Sequence, residues 1–414
     1  MEQKKKIKIL TLGDHPLSPS GVGSQCNYIF QGLLKTGKYQ IISLGGAIKH
    51  QDYRPTKFHE YGDDFVIIPV DGYGTPELIR NLLMKEKPDI LWMMTDPRFY
   101  TWLWNIEQEI RPNIPIVYYH VWDNYPYPKF NRSYYLSNDK IATISKLTSD
   151  IVRVVAPEVE EEYVPHAVSP ELFKILDEKE FAHLRIKDKT LFFWTNRNAR
   201  RKMSGSVVWW YKEFLDKVGH DKAFLLMHTD PKDVHGQDLI AIAEELGLTK
   251  DNFAISPGKV PAADMAKFYN AADCTINISD AEGFGLSCLE SLSCGTPVIA
   301  NKTGGMQDQL TDGVDTFGVL IEPASRAVIG SQEVPYIYED RVSNTDVVNA
   351  MIKIHNMTRE ERKALGKKGY DNVQKNFNFQ TFQETWDKLF SGVHEKFGSW
   401  ETRKGYKSWS VKEF

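Results

Sequence analysis

Twice along this chain, short apolar runs of strand length alternate with amphipathic stretches of helical length. In the first half the strand candidates are 7–12, 40–44, 65–70, 89–94, 114–120, 141–145 and 162–164, with helical stretches such as 75–85 and 100–110 between them. This alternation predicts parallel strands joined by crossover helices, an α/β Rossmann-like open sheet. The second half restarts the pattern, with strands over 190–194, 223–228, 253–256, 274–278, 298–300 and 319–321. Helices are predicted there over 207–218, 238–246, 262–270, 286–293, 345–355, 358–375 and 379–390, while 336–346 reads as an irregular loop. The charged stretch 177–189 is taken as the linker. The predicted domains are therefore 1–176 and 177–394, with an aromatic-rich tail, 395–414, packing back on the first. Open sheets of this kind bind ligands at the carboxyl ends of their strands, so the loops after the strands carry the functional argument.

The totals exclude some classes. A chain of 414 residues can bury two substantial cores. Fifty-one basic against 55 acidic residues leave a net charge of -4, with no global pull toward nucleic acid or anionic membrane. Cys26, Cys274, Cys288 and Cys294 show no Cys-x2-Cys spacing, which points away from zinc and disulfides and toward a reducing, cytoplasmic setting. No apolar run approaches the roughly 18 residues of a membrane span, and the run after the basic start is too short for a signal peptide. Any membrane contact is expected to be peripheral, and the sequence sets no oligomeric state.

Four loops stand out. Residues 280–290 read Asp-Ala-Glu-Gly-Phe-Gly-Leu-Ser-Cys-Leu-Glu, which places Glu282 on a loop and Glu290 in the helix that follows. Gly283 and Gly285 would let the backbone approach a ligand at that helix N-terminus, where amides and dipole meet an anion or a sugar hydroxyl. The same stretch could hold two solvated glutamates on an ordinary strand-to-helix turn. Near the start, Gly21 and Gly23 precede a helix predicted over 25–34, as a structural turn or as bare amides near a ligand; no third glycine follows at dinucleotide-binding spacing. His120 ends a predicted strand, either as a satisfied loop histidine or facing a cleft. After the strand at 190–194, four cations within 197–202 form either a solvated charge run or a phosphate site.

Glu-Gly-Phe-Gly-Leu-Ser-Cys-Leu-Glu at 282–290, then Cys-Gly-Thr-Pro-Val-Ile-Ala at 294–300 and Gly304-Gly305, resembles the donor site of retaining GT-B glycosyltransferases of family 4, the glycosyl transferases group 1. The resemblance implies the GT-B fold, two Rossmann-like domains facing each other across a central cleft. It implies transfer of a sugar from a UDP- or GDP-linked donor to a hydroxyl, with retention, and requires neither metal nor other cofactor. Its catalytic set would be Arg197, Lys202, Glu282 and His120, with Arg197 and Lys202 on the diphosphate. Glu282 would hold donor-sugar hydroxyls and Glu290 the ribose. Phe284 and Gly285 would approach the sugar, the turn 282–286, with Gly283 and Leu286, would offer amides to the phosphates with Gly21 and Gly23 as helpers, and Gly258, Lys259 and Val260 would lie beside the base. Ser20, Ala167, Asn196, Met203 and Asp308 depart from the family's usual residues. A glycan, glycolipid or small-molecule acceptor is expected ahead of nucleic acid, although Trp122, Tyr125 and Tyr127 could stack on a sugar or a base. A nucleotide-sugar epimerase, a phosphorylase and a non-catalytic nucleotide-sugar-binding protein are the rival readings.

Overall fold

The computed structural model describes residues 5–58 and 60–407; 1–4, 59 and 408–414, the end of the predicted tail, lie outside the described residues. The chain divides into two units, one comprising Met1–Trp122, Tyr127–His166 and Gln380–Phe414, the other Asp123–Pro126 and Ala167–Phe379.

The first unit holds an eight-stranded sheet. Its strands are β1 (Ile7–Asp14), β2 (Tyr39–Gly46), β3 (Thr56–Lys57), β4 (Phe65–Pro69), β5 (Ile90–Thr95), β6 (Ile116–His120), β7 (Lys140–Thr143) and β8 (Glu160–Tyr163). They lie in the order β3-β4-β2-β1-β5-β6-β7-β8, all parallel except the two-residue edge β3. Every residue of β5 and β6 is buried, as expected for central parallel strands covered on both faces. The helix Phe379–Phe397 completes this core: Trp386 is fully buried and meets Tyr119 edge-on at 4.7 Å and Trp92 at 5.9 Å. The Tyr39 hydroxyl donates to Asp387 Oδ1 at 2.7 Å. Beyond that helix, Arg403 donates to Asp139 at 2.7 Å, with both side chains only 3% exposed.

Two local expectations fail here. The first helix starts at Gly21, not near residue 25, because Ser20 caps it, its Oγ accepting from the Gly23 amide at 2.9 Å. Gly21 and Gly23 thus lie in a helical first turn, and the Gly23 amide is occupied. A Cβ on Gly23 would stand 2.3 Å from Ser18 Oγ and 2.7 Å from the His15 carbonyl oxygen, so packing of its own loop accounts for that glycine. The helix predicted over 100–110 is two short pieces, Thr101–Trp104 and Glu107–Ile110, separated where the Ile106 amide bonds back three residues to Leu103.

The second unit has six parallel strands: β9 (Thr190–Thr195), β10 (Ala223–His228), β11 (Phe253–Ser256), β12 (Cys274–Asn277), β13 (Val298–Asn301) and β14 (Val319–Ile321). Their order is β11-β10-β9-β12-β13-β14, so the direction of winding reverses between β9 and β12. The core beneath is built from Phe192 and Trp194 of β9 and Trp210, Tyr211 and Phe214 of the helix Ser204–Val218. The stretch read as an irregular loop at 336–346 is regular. β15 (Ser325–Ile329) and β16 (Ile337–Arg341) form an antiparallel hairpin, and the helix Asn344–Asn356 follows directly. Two acids of β16, Glu339 and Asp340, are buried. Among the described residues no helix is long and apolar enough to cross a membrane.

Candidate active site

In doubly wound sheets the ligand site lies beyond the strand carboxyl ends where the winding reverses. In the second unit those ends belong to β9 and β12, and they deliver the two loops that sequence analysis singled out. β9 runs into 196–203, which closes as a short 3-10 turn, Arg200–Lys202, with Met203 at φ +53°. β12 runs into 278–285, which ends at Gly285 with φ +89° before the helix Leu286–Ser293. A Cβ at Gly285 would come within 2.8 Å of Met306, so both backbone and space call for glycine.

The loops meet through charge. Lys202 Nζ hydrogen-bonds Glu282 Oε2, and both side chains are 12% exposed. Arg201 Nη1 lies 3.6 Å from the same carboxylate oxygen and 3.6 Å from Asp123, and donates to the Ala281 carbonyl at 2.6 Å. Burial alone would raise the Glu282 carboxyl, but Lys202 and Arg201 together outweigh it and hold it below the usual carboxylate range. Burial, and to a lesser degree Arg201, lower the Lys202 ammonium against the opposing pull of Glu282. Arg197, by contrast, faces away from this cluster onto Asp233, which accepts from its Nε at 2.7 Å and its Nη2 at 3.2 Å.

One helical span on, Glu290 accepts a hydrogen bond from the Tyr269 hydroxyl at 2.6 Å. Burial pushes the Glu290 carboxyl up to about 7, with the Tyr269 bond pulling the other way. The intervening turn is braced from behind. The Gly305 amide donates to the Glu282 carbonyl at 3.2 Å, and Gln309 Nε2 donates to the Phe284 carbonyl at 2.7 Å. Phe284 itself is buried against Phe377, while Gly283 is buried and Leu286 partly exposed. A Cβ at Gly304 would overlap the Glu282 carbonyl oxygen, 1.6 Å away. The Gly304-Gly305 pair is thus what lets β13's loop lie directly under the 282–284 turn.

A second network ties β16 to the same region. Arg200 holds Glu339 in a two-pronged pair at 2.8 and 2.5 Å, and the Asp340 amide donates to the Asp280 carbonyl at 2.9 Å. Burial and the nearby Glu339 charge raise Asp280 to about 6. Tyr338 donates its amide to Tyr125 at 2.7 Å and accepts at its carbonyl from Asn124 Nδ2 at 3.1 Å, which fixes the tetrapeptide bearing Asp123.

The remaining candidates are dispersed. Gly258, at φ +90°, and Lys259 are exposed after β11, with Val260 partly so. In the first unit, His120 ends β6 fully buried, turned into the core with Nε2 hydrogen-bonded to the Tyr135 hydroxyl at 2.9 Å. Burial lowers its imidazole to about 3, so it is neutral there. Sequence reasoning missed Arg201, Asp123, Tyr269 and Glu339. Arg201 was visible as a neighbour of Lys202; the other three carry no local signal. No group of three or more His, Cys, Asp or Glu among the described residues is placed to hold a metal.

Sucrose-phosphate synthase from Thermosynechococcus elongatus superposes with a TM-score of 0.75 over 95% of this chain and 100% of its own, at 17% identity. HepE from Anabaena, in complex with UDP and glucose, gives 0.67 over 93% and 100%, at 14% identity. The fold is GT-B, with two Rossmann-like domains. Residues 235–371 match the family described as glycosyl transferases group 1, and this segment belongs to that family. D-inositol 3-phosphate glycosyltransferase of Segniliparus rotundus is 42% identical over 86 residues, 21% of this chain. The match spans only 18% of that relative's length.

Proposed function

We propose that the protein transfers a glycosyl group from a nucleoside-diphosphate sugar to a hydroxyl of a glycan, glycolipid or small molecule, with retention. The observation that carries this reading is the Arg201–Lys202–Glu282 cluster at the point where the second sheet reverses its winding. As the bond from the anomeric carbon to the phosphate breaks, negative charge grows on the departing diphosphate. Fixed cations aimed at that charge are the largest single source of rate in such chemistry, and the pairing of Lys202 and Arg201 at Glu282 supports them as its source. Arg197, whose side chain is 61% exposed, joins them by leaving the less exposed Asp233.

Glu282 exchanges its ion pair for hydroxyls of the donor sugar, and Glu290 takes the ribose hydroxyls. The turn Gly283-Phe284-Gly285-Leu286 offers amides to the phosphates, with Phe284 and Gly285 also against the sugar, and 258–260 lies beside the base. The acceptor oxygen bonds to the anomeric carbon on the face the phosphate leaves, and the acceptor proton passes to a phosphate oxygen. That HepE is in complex with UDP and glucose supports testing uridine donors first.

The test is a thermal-shift and turnover screen with UDP- and GDP-linked sugars on the parent protein, Lys202→Met and Glu290→Gln. A hundredfold excess of the right donor over its dissociation constant should stabilise the fold by about 2.7 kcal/mol. Lys202→Met should lower turnover by about 100- to 1,000-fold. No shift with any donor overturns the reading. Binding without turnover replaces it with a non-catalytic role, and an epimerised sugar in the absence of acceptor replaces it with epimerase chemistry.

A further inference from the structure

Away from the Lys202–Glu282 cluster, the second unit contains a pocket of about 380 Å³ whose charge is unbalanced. Arg185, Arg359, Arg362, Lys363 and Lys367 line it, against two acids, Glu178 and Asp273. Five cations less two anions leave +3 on one small concavity, in a chain whose net charge is -4. The sequence explains how the cations converge. Arg359, Arg362, Lys363 and Lys367 recur at three- and four-residue intervals on the helix Arg359–Asn376 and so share one face. Arg185 reaches the pocket from the segment before β9.

Internal pairing accounts for part of this charge, and Lys367 is also paired with Asp371, one turn further along the same helix and outside the lining, which lowers the excess from +3 to +2. Asp273, 3% exposed, is held by Arg185 Nη2 at 2.9 Å and by Arg362 Nε at 3.3 Å. Glu178 accepts from Arg359 Nη2. The Arg359 Nε is buried and makes no hydrogen bond, and the Arg362 Nε meets Asp273 as an ion pair at 3.3 Å without the alignment of a hydrogen bond. Planar guanidinium groups with unused donors, flanked by lysine ammoniums, match the geometry and charge of phosphate oxygens. We propose that this pocket is a second anion site, which binds a small soluble phosphomonoester or diphosphate. Its volume lies at the small end of the roughly 300–1,000 Å³ typical of ligand sites, which suits one phosphorylated small molecule. The pocket also reaches Asn270 and Cys294–Pro297, at the ends of the helices that carry Tyr269 and Glu290.

This inference does not depend on the proposed transfer reaction, and the experiment keeps the two apart. Inorganic pyrophosphate is titrated calorimetrically into the full chain at constant ionic strength, with parallel titrations of Lys363→Glu/Lys367→Glu, Lys363→Gln and Lys202→Met. The expected result is a saturable component that survives Lys202→Met and weakens by about tenfold or more in the double variant. Both lysines are exposed, but Lys367→Glu also sets a like charge beside Asp371; if the double variant melts below the parent, the single Lys363→Gln variant must show weakening in the same direction. The proposal is overturned if no component survives Lys202→Met, if the surviving one is unchanged by the lysine variants, or if chloride displaces it as well as phosphate does. Binding to phosphatidylglycerol vesicles without binding to pyrophosphate also overturns it, and would assign the basic face to a membrane surface.

Discussion

Replacing Lys202 by methionine removes one charge from a sealed pair and leaves the other behind. Methionine preserves the length and much of the bulk of the side chain, so the change is chiefly electrostatic. Breaking a buried pair by removing one partner typically costs about 3–5 kcal/mol, because the survivor is left uncompensated. Here Arg201 still stands 3.6 Å from the Glu282 carboxylate. At an effective dielectric near 20 that contact carries a gross attraction of about 4–5 kcal/mol. Arg201 is, however, 38% exposed, and water screens part of it. The expected loss is therefore about 2–3 kcal/mol at about pH 8, below the full figure for an unpaired buried charge.

Its pH dependence is the sharper test. In the parent protein Glu282 is held below its ordinary value, so its contribution is present above the unfolded carboxyl pKa and is lost as pH falls through the folded one. Without Lys202, burial dominates and the folded value rises. The penalty is then absent in acid and grows as pH rises, at most about 1.4 kcal/mol per unit of pH. Urea unfolding at about pH 5 and about pH 8, followed in the near-ultraviolet where the buried Trp194 contributes, should show the larger deficit at the higher pH. Glu282→Gln in the same background should recover most of it. A deficit equal at both pH values, or no recovery in the double variant, would refute the electrostatic account.

Gly304→Ala should destabilise the second unit by about 2 kcal/mol or more, since the new Cβ meets the Glu282 carbonyl oxygen and φ is +51°. Thermal melting checks this, and a melting point equal to the parent's would show that the turn can move aside. Because burial raises Glu290 from 4.5 to about 7, the parent should lose stability relative to Glu290→Gln as pH rises between those values, and melting curves across that range read the sign directly. Arg200→Gln strips the two-pronged pair from Glu339, whose side chain is 2% exposed. With Arg341 still 3.7 Å away, chemical denaturation should show a loss of about 2 kcal/mol.

Much of the strand and helix plan was legible because central parallel strands such as β5, Ile-Leu-Trp-Met-Met before its last residue, are near-continuous apolar runs, and because Asp238 and Thr358 stand at the cap positions of their helices. The hairpin of β15 and β16 was not. Its second strand reads Ile-Tyr-Glu-Asp-Arg, and pattern reasoning assigns such charges to solvent. In the structure Glu339 and Asp340, on opposite faces of the strand, are both buried because Arg200 on one side and Arg326 and Thr303 on the other satisfy them, partners that no local window contains. The start of the first helix was misplaced for a related reason: two glycines suggest a turn until Ser20 is seen to cap the amide of the second. At the candidate site the spacing of cations singled out Arg197 and Lys202. The backbone turn at 200–202 instead brings Arg201 beside Lys202, and Asp233, distant in sequence, holds Arg197. Spacing records which residues share a loop, and the fold decides which way each one faces.

The helix Phe379–Phe397 also bears on how the protein is made. Trp92 and Tyr119 of the first sheet are covered by Trp386, so the ribosome releases them long before their cover exists. Roughly 200 residues separate His166 from Gln380, which at 5–20 residues per second is a wait of roughly 10–40 s. During that interval the nascent first sheet presents two large aromatic faces to the cell, while the later unit can finish folding ahead of the earlier one. Chaperone dependence during synthesis should therefore track the first unit, and supplying the segment 380–407 at the amino end by circular permutation should relieve it.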